Sequence, residues 1–207
     1  MTPRAGRVLL LGAGMTFALV GAWLVPPLAI LVAWPLFLFV PGWTVVSGVG
    51  SRLDTAGRLG LAVVLSIVGS THLVNLMSHL AGGYGRAVVF AAAALLAAVP
   101  LAAVWRGWSP SVPRIGRHLR GIAVVALLAM LVVGITLGVG LWRTTATGIS
   151  SGGTNWSDLG VHLSIAETLN AGANFPPEVP YFAGEPLVYH WFADFGAAIL
   201  AEAADLF

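Results

Sequence analysis

Six apolar runs, most of them close to twenty residues long, leave this chain one kind of fold: Val8–Val25, Leu28–Val49, Leu59–Leu80, Ala87–Val104, Gly121–Leu141 and Leu187–Phe207. A helix rises ~1.5 Å per residue, so about 20 such residues cross the hydrocarbon layer of a bilayer. No water reaches that layer to satisfy backbone N–H and C=O groups, and a helix satisfies them within itself. The composition agrees, with 58% hydrophobic residues, 9% charged residues and a mean hydropathy of +0.91. The sequence therefore predicts an all-α integral membrane helical bundle of about six transmembrane helices.

Local signals divide the runs. Pro26 and Pro27 end the first helix, and Pro35 and Pro41 predict a kink in the second or an early stop near Val40. In the third, His72, Asn75 and His79 fall at i, i+3 and i+7, one polar face suited to interhelical hydrogen bonds or to the wall of a polar cavity. Gly82, Gly83 and Gly85 mark the next turn. Gly134 and Gly138 give the fifth helix GxxxG spacing, which predicts a close packing face.

All ten basic residues are arginine, and they sit at the ends of apolar runs. With the N-terminus inside, eight lie on inner segments and only Arg86 and Arg143 on outer ones. That bias places the N-terminus in the cytoplasm and the 144–186 loop outside it, in a plasma (inner) membrane. The net charge of +2 is thus a topology signal, and no nucleic-acid partner is expected. There is no cysteine to form a disulfide, act as a thiolate or bind a metal. The organisation expected is a five-helix region over 1–143, an extracytoplasmic loop over 144–186, and a sixth helix over 187–207 within which the chain ends.

The stretch from Thr154 to Asp194 is the one long segment not built for hydrocarbon, holding five of the eight acidic residues and no arginine. Residues 155–170 read as an amphipathic surface helix, capped by Thr154 or Asn155 and ended at Gly172. Asp158 lies in its first turn, shares a face with His162 at i+4, and leaves Trp156, Leu159, Leu163 and Ala166 as an apolar stripe for the membrane surface. Asp158 is a helix-end charge or a reactive carboxylate. The prolines of Asn174–Pro180 predict a stiff, extended path. Tyr189, His190 and Trp191 then form an aromatic entry to the sixth helix, with Asp194 four residues beyond His190 on the same face.

WSDLGVHLSIAETLNAG followed by NFPPEVPYFAGEPLVYHWFADFGAAIL resembles the first large outer loop and following helix of polytopic bacterial and archaeal membrane proteins of the GT-C glycosyltransferase superfamily. FLFVPGWTVVSGVGSRLDTAGRLGLAVVLSIVG is similar to the PG helix pair at the front of several of them. The resemblance implies transfer of a sugar from a lipid-linked, polyprenyl-phosphate donor to a glycan, lipid or protein acceptor outside the cytoplasm. It maps the acidic residue that acts as base or binds a divalent cation to Asp158. It places His162, Glu185, Tyr189, His190 and Asp194 around the substrate. The pattern departs from the simplest members in having five helices before the loop, and in ending within the sixth, as an N-terminal portion would. The alternative is a non-catalytic transporter or flippase component, or a scaffold subunit, using the His72/Asn75/His79 face.

Overall fold

The computed structural model describes residues 3–49, 53–108, 117–136, 142–146, 148–151, 156–182, 184–188 and 190–206. They divide into two compact units, Met1–Val112 with Ile165–Phe207, and Pro113–Ser164.

The first unit is built on α1 (Pro3–Leu24), α2 (Ala29–Leu38), α3 (Val40–Gly48), α4 (Thr55–Ala81) and α5 (Arg86–Trp105). Four segments here are long and apolar enough to cross a membrane: α1, the pair α2 and α3 taken with the 3₁₀ turn Pro26–Leu28, α4, and α5. They are compatible with a multi-pass membrane protein. Their ends follow local chemistry. Asp54 caps α4 by accepting from the Gly57 N–H at 2.8 Å. Gly82, at φ 73°, closes α4 in the left-handed conformation, with the Gly83 N–H on the Ser78 carbonyl at 2.9 Å.

The second apolar run does break, at Phe39 (φ −147°, ψ −50°), with Pro35 inside α2 and Pro41 in the first turn of α3. Pro41 has no N–H to give the carbonyl four residues back, Phe37. The Ser70 hydroxyl of α4 donates to that carbonyl at 3.0 Å instead. The Gly42 N–H, one residue on, donates to Ser66 Oγ at 2.9 Å. Ser66 and Ser70, one turn apart on α4 and both buried, thus replace two backbone bonds that the kink removes. Gly42 is what lets the backbones meet, because a Cβ there would overlap the Ala62 carbonyl.

At the end of this unit that carries the Pro26–Leu28 turn, Arg86 ties α1 to α5. Its guanidinium lies 5.1 Å from the Trp23 ring and 5.5 Å from the Phe90 ring, and Nη2 donates to the Trp23 carbonyl at 3.0 Å. The last carbonyls of α1 thereby gain a cationic donor where the helix dipole favours one.

The last apolar run folds differently from expectation. The final helix, α8, spans Phe192–Ala204, beginning five residues after Leu187. Its 13 residues reach about 20 Å. It packs on α2, α4 and α5, burying Phe195, Ala198, Ile199, Ala203 and Ala204. Its start lies beside His72, with Gly196 close to Thr71, about 13 Å from the far end of α4. Its last turns meet the Pro26–Leu28 turn and Glu202 lies near Arg86. So α8 runs from within the bundle back toward the end from which its leading segment comes.

In the second unit, α6 (Arg117–Ile135) carries an apolar stretch over Ala123–Ile135, and its described side chains are exposed. Nothing lies near a Cβ built on Gly134, so the expected GxxxG face has no neighbour there among the described residues; Gly138 lies outside them. β1 (Trp142–Thr145) and β2 (Gly148–Ser151) form an antiparallel hairpin, the one departure from helix among the named elements and one the sequence reading did not anticipate. Finally α7 (Trp156–Asn170) forms over almost the predicted range, its last residues belonging to the first unit.

Candidate functional site

The segment after α7 is a fixed strap rather than a plain extended path. Asn174 organises it. Its Nδ2 donates to the Glu178 carbonyl at 2.9 Å and to Thr168 Oγ1 at 3.3 Å, while its Oδ1 accepts from the Glu178 N–H at 2.8 Å. Glu178 in turn accepts from the Gly184 N–H through Oε2 at 2.7 Å and pairs with Pro186 in an antiparallel bridge. The Val179 N–H reaches the Glu185 carbonyl at 2.8 Å, and the Leu187 N–H the Pro177 carbonyl at 3.0 Å. Prolines stiffen the chain, and these bonds decide which stiff path it takes.

Aromatic rings fasten the strap to the helices. Phe175 sits 4.9 Å from the His79 ring, 6.4 Å from Tyr84 and 5.9 Å from Phe195. Phe195 packs edge-on against Tyr84 at 5.2 Å and Trp191 at 5.4 Å. Tyr84 lies in the loop between α4 and α5, and burial raises the pKa of its phenol well above the usual range, so it stays neutral. Asn170, at the end of α7, donates to the Ala198 carbonyl of α8 at 3.1 Å.

Above this cluster the strap and the end of α7 enclose an open groove of about 390 Å³, with Thr168, Gly172, Asn174, Glu178 and Pro180 on its walls. A second cavity of about 330 Å³, apolar, lies between α2, α4 and α8, where Phe37, Ile67 and Phe192 face it.

The residues expected at a site are distributed as follows. Asp158 lies in the first turn of α7, its side chain outside the described residues, as is Tyr189. His162 is half-buried one turn on. The residues that α7 buries against the protein are Ile165, Ala166 and Leu169, while Leu163 is 37% exposed; the side chains of Trp156 and Leu159, also expected on the stripe, lie outside the described residues. Glu185 is exposed on the strap, its backbone engaged with Val179 and Phe182. His190 is exposed and precedes α8, so no helical i, i+4 geometry joins it to Asp194. Asp194 is buried, 7% exposed, in the first turn of α8 where the dipole favours an anion.

His72 and His79 are exposed on one face of α4 as expected, each covered on one side by a ring, Phe192 at 4.7 Å and Phe175 at 4.9 Å. Among the described residues no group of three or more histidines, aspartates or glutamates is placed to hold a metal ion. The residues the sequence reading passed over are Asn174, Glu178, Phe175 and Tyr84. The four-residue spacing of Asn174 and Glu178 in a proline-rich stretch was the available signal for the first two.

No family model, curated protein or solved structure matches the chain.

Proposed function

We propose that the chain is a membrane glycosyltransferase of the GT-C type, or the N-terminal part of one, taking a sugar from a polyprenyl-phosphate donor and passing it to an acceptor on the outer side of a plasma (inner) membrane. One observation carries the reading. A hydrogen-bonded strap is fastened across one end of a set of apolar helices and offers an open polar groove there. An enzyme that takes a sugar from a lipid-linked donor needs such a fixed polar surface at the edge of the hydrocarbon to hold the acceptor, because the donor's chain stays in the bilayer.

The arginine bias sets the N-terminus in the cytoplasm and the strap outside. In this reading the apolar run 121–141 is the fifth crossing and residues 155–170 lie on the outer surface, as the sequence pattern suggests. Asp158 takes the proton of the acceptor hydroxyl as its oxygen bonds to the anomeric carbon, and the carrier phosphate leaves with the electron pair of the broken bond. By the resemblance, His162, Glu185, Tyr189 and His190 orient donor or acceptor. Asp194, being buried, steadies the start of α8.

The test is transfer from polyprenyl-phosphate sugars in membranes holding matched amounts of wild type and Asp158→Asn. Loss of about 10²–10⁴-fold in rate in a variant that inserts normally is expected for a missing base. A variant as active as wild type refutes the role of Asp158. A wild type that transfers nothing from any donor favours the transporter or scaffold alternative. The same membranes with a chelator show whether a divalent cation takes part.

A further inference from the structure

The strap groove has an asymmetry in its hydrogen-bonding groups that specifies what it can hold. Along its walls the backbone donors, that of Ala173 excepted, are already bonded within the protein. The Gly172 and Asn174 N–H groups both reach the Thr168 carbonyl, at 3.0 and 3.1 Å, and the Phe175 N–H the Ala173 carbonyl at 3.0 Å. The Glu178 N–H is held by Asn174, and the Val179 N–H by Glu185. Pro176 and Pro180 have no N–H. The Asn174 amide hydrogens go to Glu178 and Thr168, and the Thr168 hydroxyl donates to the Ile165 carbonyl at 3.2 Å.

Acceptors are what the walls have left to offer. A carboxylate has about four lone-pair sites, and Glu178 uses one on Gly184. Backbone carbonyls other than that of Thr168, which already accepts twice, keep a second lone pair each. The groove also carries hydrocarbon faces on Val179, Pro180 and Pro176. No arginine, lysine or histidine is among the residues lining it.

We infer that the groove is a binding site for a neutral polyhydroxylated ligand, a glycan, whose hydroxyl protons meet Glu178 and the carbonyls while its C–H faces lie on the prolines and Val179. An anion is disfavoured, since a phosphate or sulfate brings acceptors to a wall of acceptors and a negative charge to a carboxylate. A drug-sized ligand fits a space of this volume. The inference goes beyond the transfer reading, because the groove binds glycan by this chemistry whether or not the chain moves a sugar.

The experiment is saturation-transfer NMR on the intact chain in nanodiscs, with methyl α-glucoside, methyl α-mannoside and N-acetylglucosamine as probes, with and without inorganic phosphate. The expected result is saturable binding of at least one sugar, unaffected by phosphate and lost in Ala173→Trp. That substitution fills the groove from an exposed position without removing a strap hydrogen bond. Glu178→Gln keeps an oxygen for Gly184 and removes the charge, and is expected to weaken binding about tenfold, the loss of a charge-assisted bond. It serves where the tryptophan variant does not fold. The inference is overturned by absence of binding to all three sugars, by binding unchanged in both groove variants, or by displacement with phosphate.

Discussion

Gly42→Ala places one methyl group where α3 and α4 touch. The added carbon would overlap the Ala62 carbonyl oxygen and lie 2.7 Å from Ser66 Oγ and 2.9 Å from the Ala62 carbonyl carbon. Ordinary contact begins near 3.4 Å, so the backbones must part by about half an ångström or more. The obstruction is mainly backbone, which cannot swing aside. Overpacking of this kind costs about 2–3 kcal/mol. Parting the helices also lengthens the 2.9 Å bond from the Gly42 N–H to Ser66, worth about 1 kcal/mol. Alanine recovers up to ~1 kcal/mol over glycine in helix propensity. The overlap wins, and the net expectation is a loss of about 2–3 kcal/mol.

The assay is reversible SDS unfolding of the purified chain in mixed micelles, followed by the fluorescence of its eight tryptophans. Ser66→Ala, which removes the bond without adding bulk, is expected to lose about 1 kcal/mol. Gly14→Ala, where a Cβ meets nothing within 4 Å, is expected to be neutral or slightly stabilising. If Gly42→Ala is as stable as wild type, the close approach of α3 and α4 does not exist and the role given to Ser66 and Ser70 falls with it.

Three further outcomes follow from the strap and the Arg86 region. Asn174→Ala removes three hydrogen bonds from the strap, so hydrogen exchange at the Glu178 and Gly184 amides is expected to speed up about tenfold or more, with the helices unchanged; equal protection would show that proline stiffness alone fixes the path. Phe175→Ala withdraws the ring shared by His79, Tyr84 and Phe195, and is expected to make the 171–190 segment markedly more sensitive to an added protease; an unchanged cleavage pattern would refute the fastening. Burial raises the Glu202 carboxyl above its usual 4.5, partly offset by the Arg86 backbone N–H and guanidinium. The folded state thus holds this proton more tightly than the unfolded one, so its contribution is present below pH 4.5 and is lost as pH rises through the raised value. Stability of Glu202→Gln relative to wild type is therefore expected to increase from acid to neutral pH, and a difference independent of pH would contradict it.

Much of the helical framework was legible because its causes are local. Apolar run length, the Gly82 stop and the proline break each act within a turn or two of chain, so the sequence shows both cause and effect, whereas the Asp54 cap, which starts α4 at Thr55 rather than Leu59, was not read. α7 was readable from its residue spacing and the Gly172 stop, while the expected N-caps Thr154 and Asn155 lie outside the described residues. Which of its faces is buried was not, since Leu163 and Ile165 are equally apolar and only a neighbour chooses between them. The candidate site was legible in outline, as the one polar segment of an apolar chain. Its working parts were missed because Asn174 and Glu178 look like ordinary loop residues until their partners are known.

By itself, then, the sequence determined that the chain is helical, where most helices begin and end, and which stretch stands apart from hydrocarbon. Tertiary structure decided three things that no local pattern contains. Ser70 meets the carbonyl that Pro41 orphans, across 33 residues of chain. The end of α7 reaches α8 through Asn170 and Ala198, 28 residues apart. And α8 starts beside Thr71 and runs toward Arg86, a direction that an apolar run does not specify. The physical reason is the same in each case. Hydropathy states what a segment can enter, while the direction it takes depends on which unbonded groups and ring faces other segments bring to meet it.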